Sequence, residues 1–293
     1  MLRHLGRVSA VVLATWAGGL PAVAADVRVV TQDVRFTSAG VQLAGTILIP
    51  PRIVAAAVVV HGSGQQVRML PFAGELAERG IAALTYDKRG VGQSGGTYVG
   101  GEVGTNNASA ANLELLAADA AAAVDELSRR LAPRSAVVGL VGFSQAGWII
   151  PLAAANNQSV RFIVLWSGPV VTTHEQMRFQ FYTGNKDDFW DSHTEAQARE
   201  HISADADRFE FADTDPRAAL ERLSIPGLWL FGGRDVLVPV HLSIERLQPL
   251  RANGKRFEYL LFPGMGHQID ESEGLPAMLE WLNSAHLHSR SSG

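Results

Sequence analysis

A doubly wound, mostly parallel α/β sheet is the fold class that this sequence predicts, and three observations predict it. Short runs that are apolar on both faces recur along the chain, the pattern of strands buried between two helix layers. Longer amphipathic stretches separate them, and such alternation builds a parallel sheet. One run, Val137 to Val141, drives into a small-residue turn presenting Ser144 and continues into helix-compatible sequence. That is the build of a nucleophile elbow.

Residues 1–25 stand apart from this rhythm. Arg3 and Arg7 give a basic start, Val8–Leu20 is mostly apolar, and Ala22-Val23-Ala24-Ala25 offers small residues for cleavage. The stretch reads as a secretory signal peptide, and it is short of the ~20 apolar residues that span a bilayer. The expected product is exported, periplasmic or secreted, with no membrane attachment after cleavage. The remaining residues, 26–293, are expected to form one catalytic domain.

Val27–Phe36 and Val41–Leu48 read as an opening antiparallel pair. Ala55–Val60, Ile81–Tyr86, Ala136–Val141, Phe162–Trp166, Leu228–Phe231 and Phe257–Phe262 follow as buried strands. The clearest helix sets Leu113, Leu116, Ala120, Val124, Leu127 and Leu131 on one face, with Pro133 closing it. Another begins after Pro239, aligns Val240, Ile244 and Leu247, and stops by Asn253-Gly254; Pro249 should end it early or distort its last turn. Thr172 to Arg217 breaks the alternation. It is polar and aromatic-rich, and reads either as a small, mostly helical cap over one end of the sheet or as a surface excursion packed on its own aromatics.

Composition excludes several classes. The chain has no cysteine, which removes thiol catalysis and cysteine-ligated metals. Its net charge of −4 comes with no basic cluster, so neither nucleic acid nor an anionic membrane is an expected partner. No His/Glu spacing suggests a metal. Gly90-Val91-Gly92-Gln93-Ser94-Gly95 fits G-x-G-x-x-G, but a dinucleotide site needs that motif between strand and helix. Here it continues as a Gly- and Asn-rich loop, with Asp87 and Arg89 as bracing groups. Asn107 and Asn157 head glycosylation sequons, matches that are frequent by chance.

His61-Gly62-Ser63-Gly64, Tyr86-Asp87-Lys88-Arg89-Gly90 and Gly142-Phe143-Ser144-Gln145-Ala146-Gly147 stand in register. With these three motifs the chain resembles the α/β-hydrolases from Val27 to its end, and among them the compact bacterial carboxylesterases and serine-aminopeptidase-like members. The elbow departs from G-x-S-x-G in having Ala146 where glycine is usual. Close approach of strand and helix demands small side chains there, and alanine is the next smallest.

A serine hydroxyl needs a base, and histidine suits that role near neutral pH. Of the nine histidines, His267 alone sits in the loop directly after the last strand, a glycine-rich loop that can swing over the elbow, whereas His286 and His288 fall in the tail beyond. The base needs a carboxylate, for which Asp235, after the seventh strand, is the candidate; a capping role before the next helix is its plain alternative. Ser144, Asp235 and His267 then occur in the chain order expected of α/β-hydrolases. Two backbone N–H groups must hold the oxyanion: one from Gln145, immediately after the serine, the other assigned by the resemblance to the His61–Gly64 turn, to Ser63 with Gly64 as the alternative. His61 is expected to brace its turn.

The resulting expectation is an exported serine hydrolase that cleaves small-molecule carboxylic esters through an acyl-enzyme, without a cofactor, its substrate set by cap and pocket. An exopeptidase or thioesterase stays open, with Asp187, Asp188 and Asp191 as carboxylates that could grip a peptide terminus. A non-catalytic binding protein on the same fold is the reading from outside enzymology.

Overall fold

The computed structural model describes residues 28–100, 105–134, 136–206 and 209–285. The proposed signal peptide therefore lies outside the described residues. One eight-stranded sheet runs through the molecule in the order β1-β2-β4-β3-β5-β6-β7-β8. Its strands are β1 (Val30–Ser38), β2 (Val41–Ile49), β3 (Ala55–Val60), β4 (Ile81–Tyr86), β5 (Val138–Phe143), β6 (Ile163–Trp166), β7 (Gly227–Gly232) and β8 (Phe257–Phe262). The pairs β1–β2 and β2–β4 are antiparallel, and every later pair is parallel.

The helices are α1 (Leu70–Glu78), α2 (Ala110–Leu131), α3 (Ala146–Asn156), α4 (Thr173–Thr183), α5 (Glu195–Ala204), α6 (Pro216–Leu220), α7 (Val240–Ala252) and α8 (Glu271–Ser284). They cover both faces of the sheet. Leu113, Val124 and Leu127 of α2, Ile149 and Ile150 of α3 and Leu247 of α7 pack with Val58 and Leu140 on one side. Phe72 and Leu76 of α1 and Met278 and Trp281 of α8 pack with Val59, Val141 and Leu230 on the other. Alternate residues of one strand thus feed two cores, which is why these strands are apolar throughout.

The helix after Pro239 departs from expectation. It runs through Pro249 to Ala252. Proline forfeits the bond to the carbonyl of Glu245, yet both residues are exposed, so water can serve that carbonyl and the helix continues. It ends instead at Gly254, at φ +82°. There Gly254 N–H bonds Arg251 O (2.9 Å) and Lys255 N–H bonds Leu250 O (3.0 Å), a Schellman closure.

Between β6 and β7 the chain makes α4, α5 and α6. Thr172 and Thr194 cap the first two with reciprocal bonds to Glu175 and Gln197. The segment also packs on its own rings: Phe179 lies 6.1 Å from Trp190, and Phe189 stacks on His193 at 4.2 Å. Phe179, Ala198 and Ile202 form a small core with Leu242 of α7, so the segment leans on the β7–α7 side of the molecule.

Candidate active site

Every candidate group sits beyond the carboxyl end of a parallel strand, where open α/β sheets place their sites. Ser144 is the first residue past β5. Its φ of +51° is uncommon for a side chain with a Cβ and is a strained conformation typical of functional turns. The turn is held by Ser144 N–H to Trp166 O (2.9 Å) and Gly147 N–H to Ser144 O (2.8 Å). A Cβ at Gly142 would stand 2.6 Å from the Ala146 Cβ and 2.8 Å from Val60 O. The alanine at 146 is accommodated because position 142 carries nothing.

The β7 and β8 loops are pressed together. A Cβ at Gly232 would lie 1.9 Å from Gly266 O, so only glycine lets the two backbones approach. That contact brings His267 Nδ1 to 2.8 Å from Asp235 Oδ2. The other carboxylate oxygen accepts from the N–H groups of Leu237 (2.7 Å) and Val238 (2.9 Å). The local capping role and the histidine contact are therefore both filled by Asp235, one by each oxygen. Asp235 is buried, and an ionised carboxylate is acceptor-only. Nδ1 is then the donor, which leaves Nε2 to accept a proton. Ser167 at the end of β6 supports the loop, its hydroxyl donating to His267 O (2.7 Å).

Past β3, Gly62 lies against the elbow: a Cβ there would be 3.4 Å from Phe143 O and 3.5 Å from the Ser144 Cβ. Among the described residues, neither the Ser63 nor the Gln145 N–H donates to a protein acceptor. Gln145 is buried, and its side chain is fixed at both ends. Nε2 donates to Asn107 O (2.7 Å) and Oδ1 (2.9 Å), while Oε1 accepts from Lys88 Nζ (2.8 Å).

His61 is buried with its ring edge-on to Tyr86 at 5.0 Å. Burial, helped by the charge of Lys88, lowers its pKa to about 3, so it is neutral and does not line the cavity. Tyr86 is pushed up by burial. For Asp87, burial works upward, but the Arg68 guanidinium and the N–H groups of Arg68 and Gln93 bring its carboxyl down to about 2. Arg89 forks onto Asp119 of α2 and donates to Ser38 O (3.1 Å). Asp87 and Arg89 thus brace the loop that carries the G-x-G-x-x-G match, and no helix follows it directly.

Ser63, Ser144 and His267 line one cavity of about 450 Å³, within the size of small-molecule sites. Among the described residues no hydrogen bond joins the Ser144 hydroxyl to His267; such contacts often tighten only around substrate. Met69, Phe143, Trp166 and Ile269 form the apolar wall, and Gln66, Gln268 and Glu271 its polar side. None of the described residues of 172–217 lines this cavity, which corrects the expectation that the insertion helps to shape it. Asp187, Asp188 and Asp191 are likewise absent, with Asp191 paired to Arg234 (2.5 Å). The insertion instead grips the acid loop: Trp190 Nε1 donates to Asp235 O (3.0 Å) and Thr183 Oγ1 to Val236 O (2.7 Å). Both sequon asparagines are buried, and Asn157 Nδ2 is taken by Ala121 O and Asp125. Among the described residues no cluster of three His, Asp or Glu is arranged to hold a metal.

Sequence reasoning missed Lys88, Ser167, Trp166 and Glu271. Lys88 had one visible signal: a lysine at the end of a buried strand has to find partners inside. The lining residues had none: Trp166 and Ser167 stand at the end of β6 and Glu271 opens α8, and only the fold brings these positions to one cavity.

The fold recurs in solved structures. An esterase of Pyrococcus furiosus superimposes with a TM-score of 0.59 at 19% identity, over 87% of this chain and 89% of that one. A dienelactone hydrolase of Anabaena variabilis gives 0.55 at 18%, over 89% and 98%. An acylaminoacyl peptidase of Pyrococcus horikoshii gives 0.61 at 13%, over 91% of this chain but 43% of that one. No curated protein matches by sequence. The family profile described as serine aminopeptidase, S33, matches residues 51–217, a span that holds Ser63, Lys88 and Ser144 and stops short of Asp235 and His267. With more than half of its length so matched and an α/β-hydrolase sheet beneath it, the chain belongs to this family of hydrolases.

Proposed function

We propose that the protein is an exported serine carboxylesterase acting on small acyl esters. The observation that carries the reading is the pairing of buried Asp235 with His267, which opens onto the cavity that Ser144 lines at φ +51°. In this reading Ser144 Oγ attacks the acyl carbonyl carbon and His267 Nε2 takes its proton. The N–H groups of Ser63 and Gln145 hold the carbonyl oxygen as it becomes an oxyanion. Collapse expels the alkoxide, which leaves as the alcohol with the proton from His267. Water, deprotonated by the same nitrogen, then attacks the acyl-enzyme and frees the acid and Ser144. Asp235 keeps Nδ1 protonated and stabilises the imidazolium. No step calls for a cofactor. The signal-like residues 1–25 support export.

The mature protein should hydrolyse p-nitrophenyl esters across an acetyl-to-dodecanoyl series, with short to medium chains best suited to the cavity, and Ser144→Ala should abolish turnover. Equal turnover in that variant would end the reading. A second reading follows from Glu271, the carboxylate among the lining residues: an aminoacyl substrate could set its ammonium there. Release of nitroaniline from aminoacyl p-nitroanilides, lost in Glu271→Gln, would favour peptidase over esterase action.

A further inference from the structure

We propose that Lys88 is a positioning residue of the oxyanion hole, its buried ammonium tying the Gly62–Ser63 peptide and the Gln145 side chain into one unit that sets both N–H donors. The proposal rests on Ser144 being the nucleophile.

Lys88 is 2% exposed. Its Nζ donates to Gly62 O (2.8 Å), Gly64 O (3.3 Å) and Gln145 Oε1 (2.8 Å), which uses its three donors. Its own N–H donates to Gln66 O (3.0 Å). One residue therefore clamps the turn after β3 by backbone and side chain, and reaches the elbow as well.

The consequence lies in peptide geometry. Gly62 C=O and Ser63 N–H belong to the same peptide unit, and in a trans peptide the two point in opposite directions; no cis bond occurs among the described residues. Drawing the carbonyl onto Lys88 therefore turns the Ser63 N–H away from Lys88 and fixes it. A cation on the carbonyl also polarises the unit, making its N–H a stronger donor. The following unit is pinned too, since Gln66 Nε2 donates to Ser63 O (2.9 Å). On the other side, Gln145 is held between Lys88 and Asn107, and its backbone supplies the second donor.

Among the described residues the charge meets only neutral groups, its three acceptor oxygens and, at 5.9 Å, the ring of Tyr98. No described carboxylate pairs with Nζ, and burial lowers the ammonium pKa to about 7. A buried cation of this kind is no gain in stability over an apolar side chain of similar volume. Its effect is expected where negative charge develops, in a site drier than bulk water.

The experiment compares wild type, Ser144→Ala, Lys88→Met and Lys88→Gln, each with its circular dichroism spectrum. It measures kcat and KM on p-nitrophenyl butyrate and the Ki of a trifluoromethyl ketone, whose serine adduct carries an oxyanion. Lys88→Met should lower kcat by about 10²-fold, the scale of one oxyanion donor, leave KM within about twofold and weaken the ketone in parallel with kcat. Lys88→Gln, with a neutral donor in place of the charge, should fall between. If Ser144→Ala is inactive while folded Lys88 variants keep wild-type kcat and ketone affinity, the proposal is overturned and the nucleophile stands. If Ser144→Ala turns over normally, the underlying reading fails instead. Loss of the native fold in both Lys88 variants would assign the residue to stability and equally overturn the proposal.

Discussion

At the scale of the residue, Asp235 shows how one carboxylate is divided between tasks. One oxygen accepts two backbone N–H groups and shapes its own turn, while the other meets His267. Asp235→Asn should therefore fold, because Oδ1 can still accept from Leu237 and Val238. The amide would then present N–H to Nδ1 and force the proton onto Nε2, the wrong nitrogen for a base. A loss in kcat of roughly 10⁴-fold is expected, with a melting temperature close to wild type. Steady-state kinetics beside a thermal melt would check both halves, and a large melting loss would show that the turn, not the tautomer, is what the charge supports. Ser144, Asp235 and His267 were legible because each follows a strand in a short, glycine-marked turn. Lys88 was not, because its partners come from the β3 turn and the elbow, which sequence places 26 and 57 residues away.

At the scale of the element, the elbow is a matter of two facing positions. Gly142→Ala would drive a methyl to 2.6 Å from the Ala146 Cβ, an overpacking that costs about 1–3 kcal/mol and displaces the serine. Adding Ala146→Gly should recover part of the lost melting temperature and activity, though not all, since Ile150 Cδ1 and Val60 O each remain 2.8 Å away. Melting and turnover of the single and double variants test this; no recovery would mean that these two contacts dominate the clash. Strands were the most legible elements, since apolar runs bounded by turns have few other readings. Helix ends were less so: Pro249 does not tell from sequence whether the Glu245 carbonyl that it orphans meets water. The insertion was legible as an interruption, but composition alone did not say that it would lean on the acid loop and leave the cavity unlined.

At the scale of the whole molecule, stability should depend on pH through groups that folding buries. His61 binds a proton near 6.5 when unfolded and near 3 when folded. Between those values the unfolded chain holds more protons, so each step toward acid favours unfolding. The loss attributable to His61 from pH 7 to pH 5 is on the order of 2 kcal/mol, or roughly 4–8 °C in Tm for a domain of this size. Lys88 acts in the same direction on the alkaline side, since its folded value near 7 lies below its unfolded 10.5; stability should continue to rise as pH climbs from 7 toward 10.5. Asp87, held near 2 against 3.8, adds stability that is lost only below about pH 4. Melts of wild type and His61→Gln across pH 5–8 isolate the first contribution, and identical slopes would refute it.

The grip of Trp190 and Thr183 on residues 235 and 236 gives the molecule a mechanical fuse. The insertion rests on a small core shared with Leu242 of α7, whereas the sheet is buried between two large ones, so warming should loosen the insertion first. Once it lets go, the aspartate loses its outer support while the strands remain intact. Catalysis should then fade reversibly several degrees before the far-ultraviolet signal collapses, and cooling from that interval should restore it.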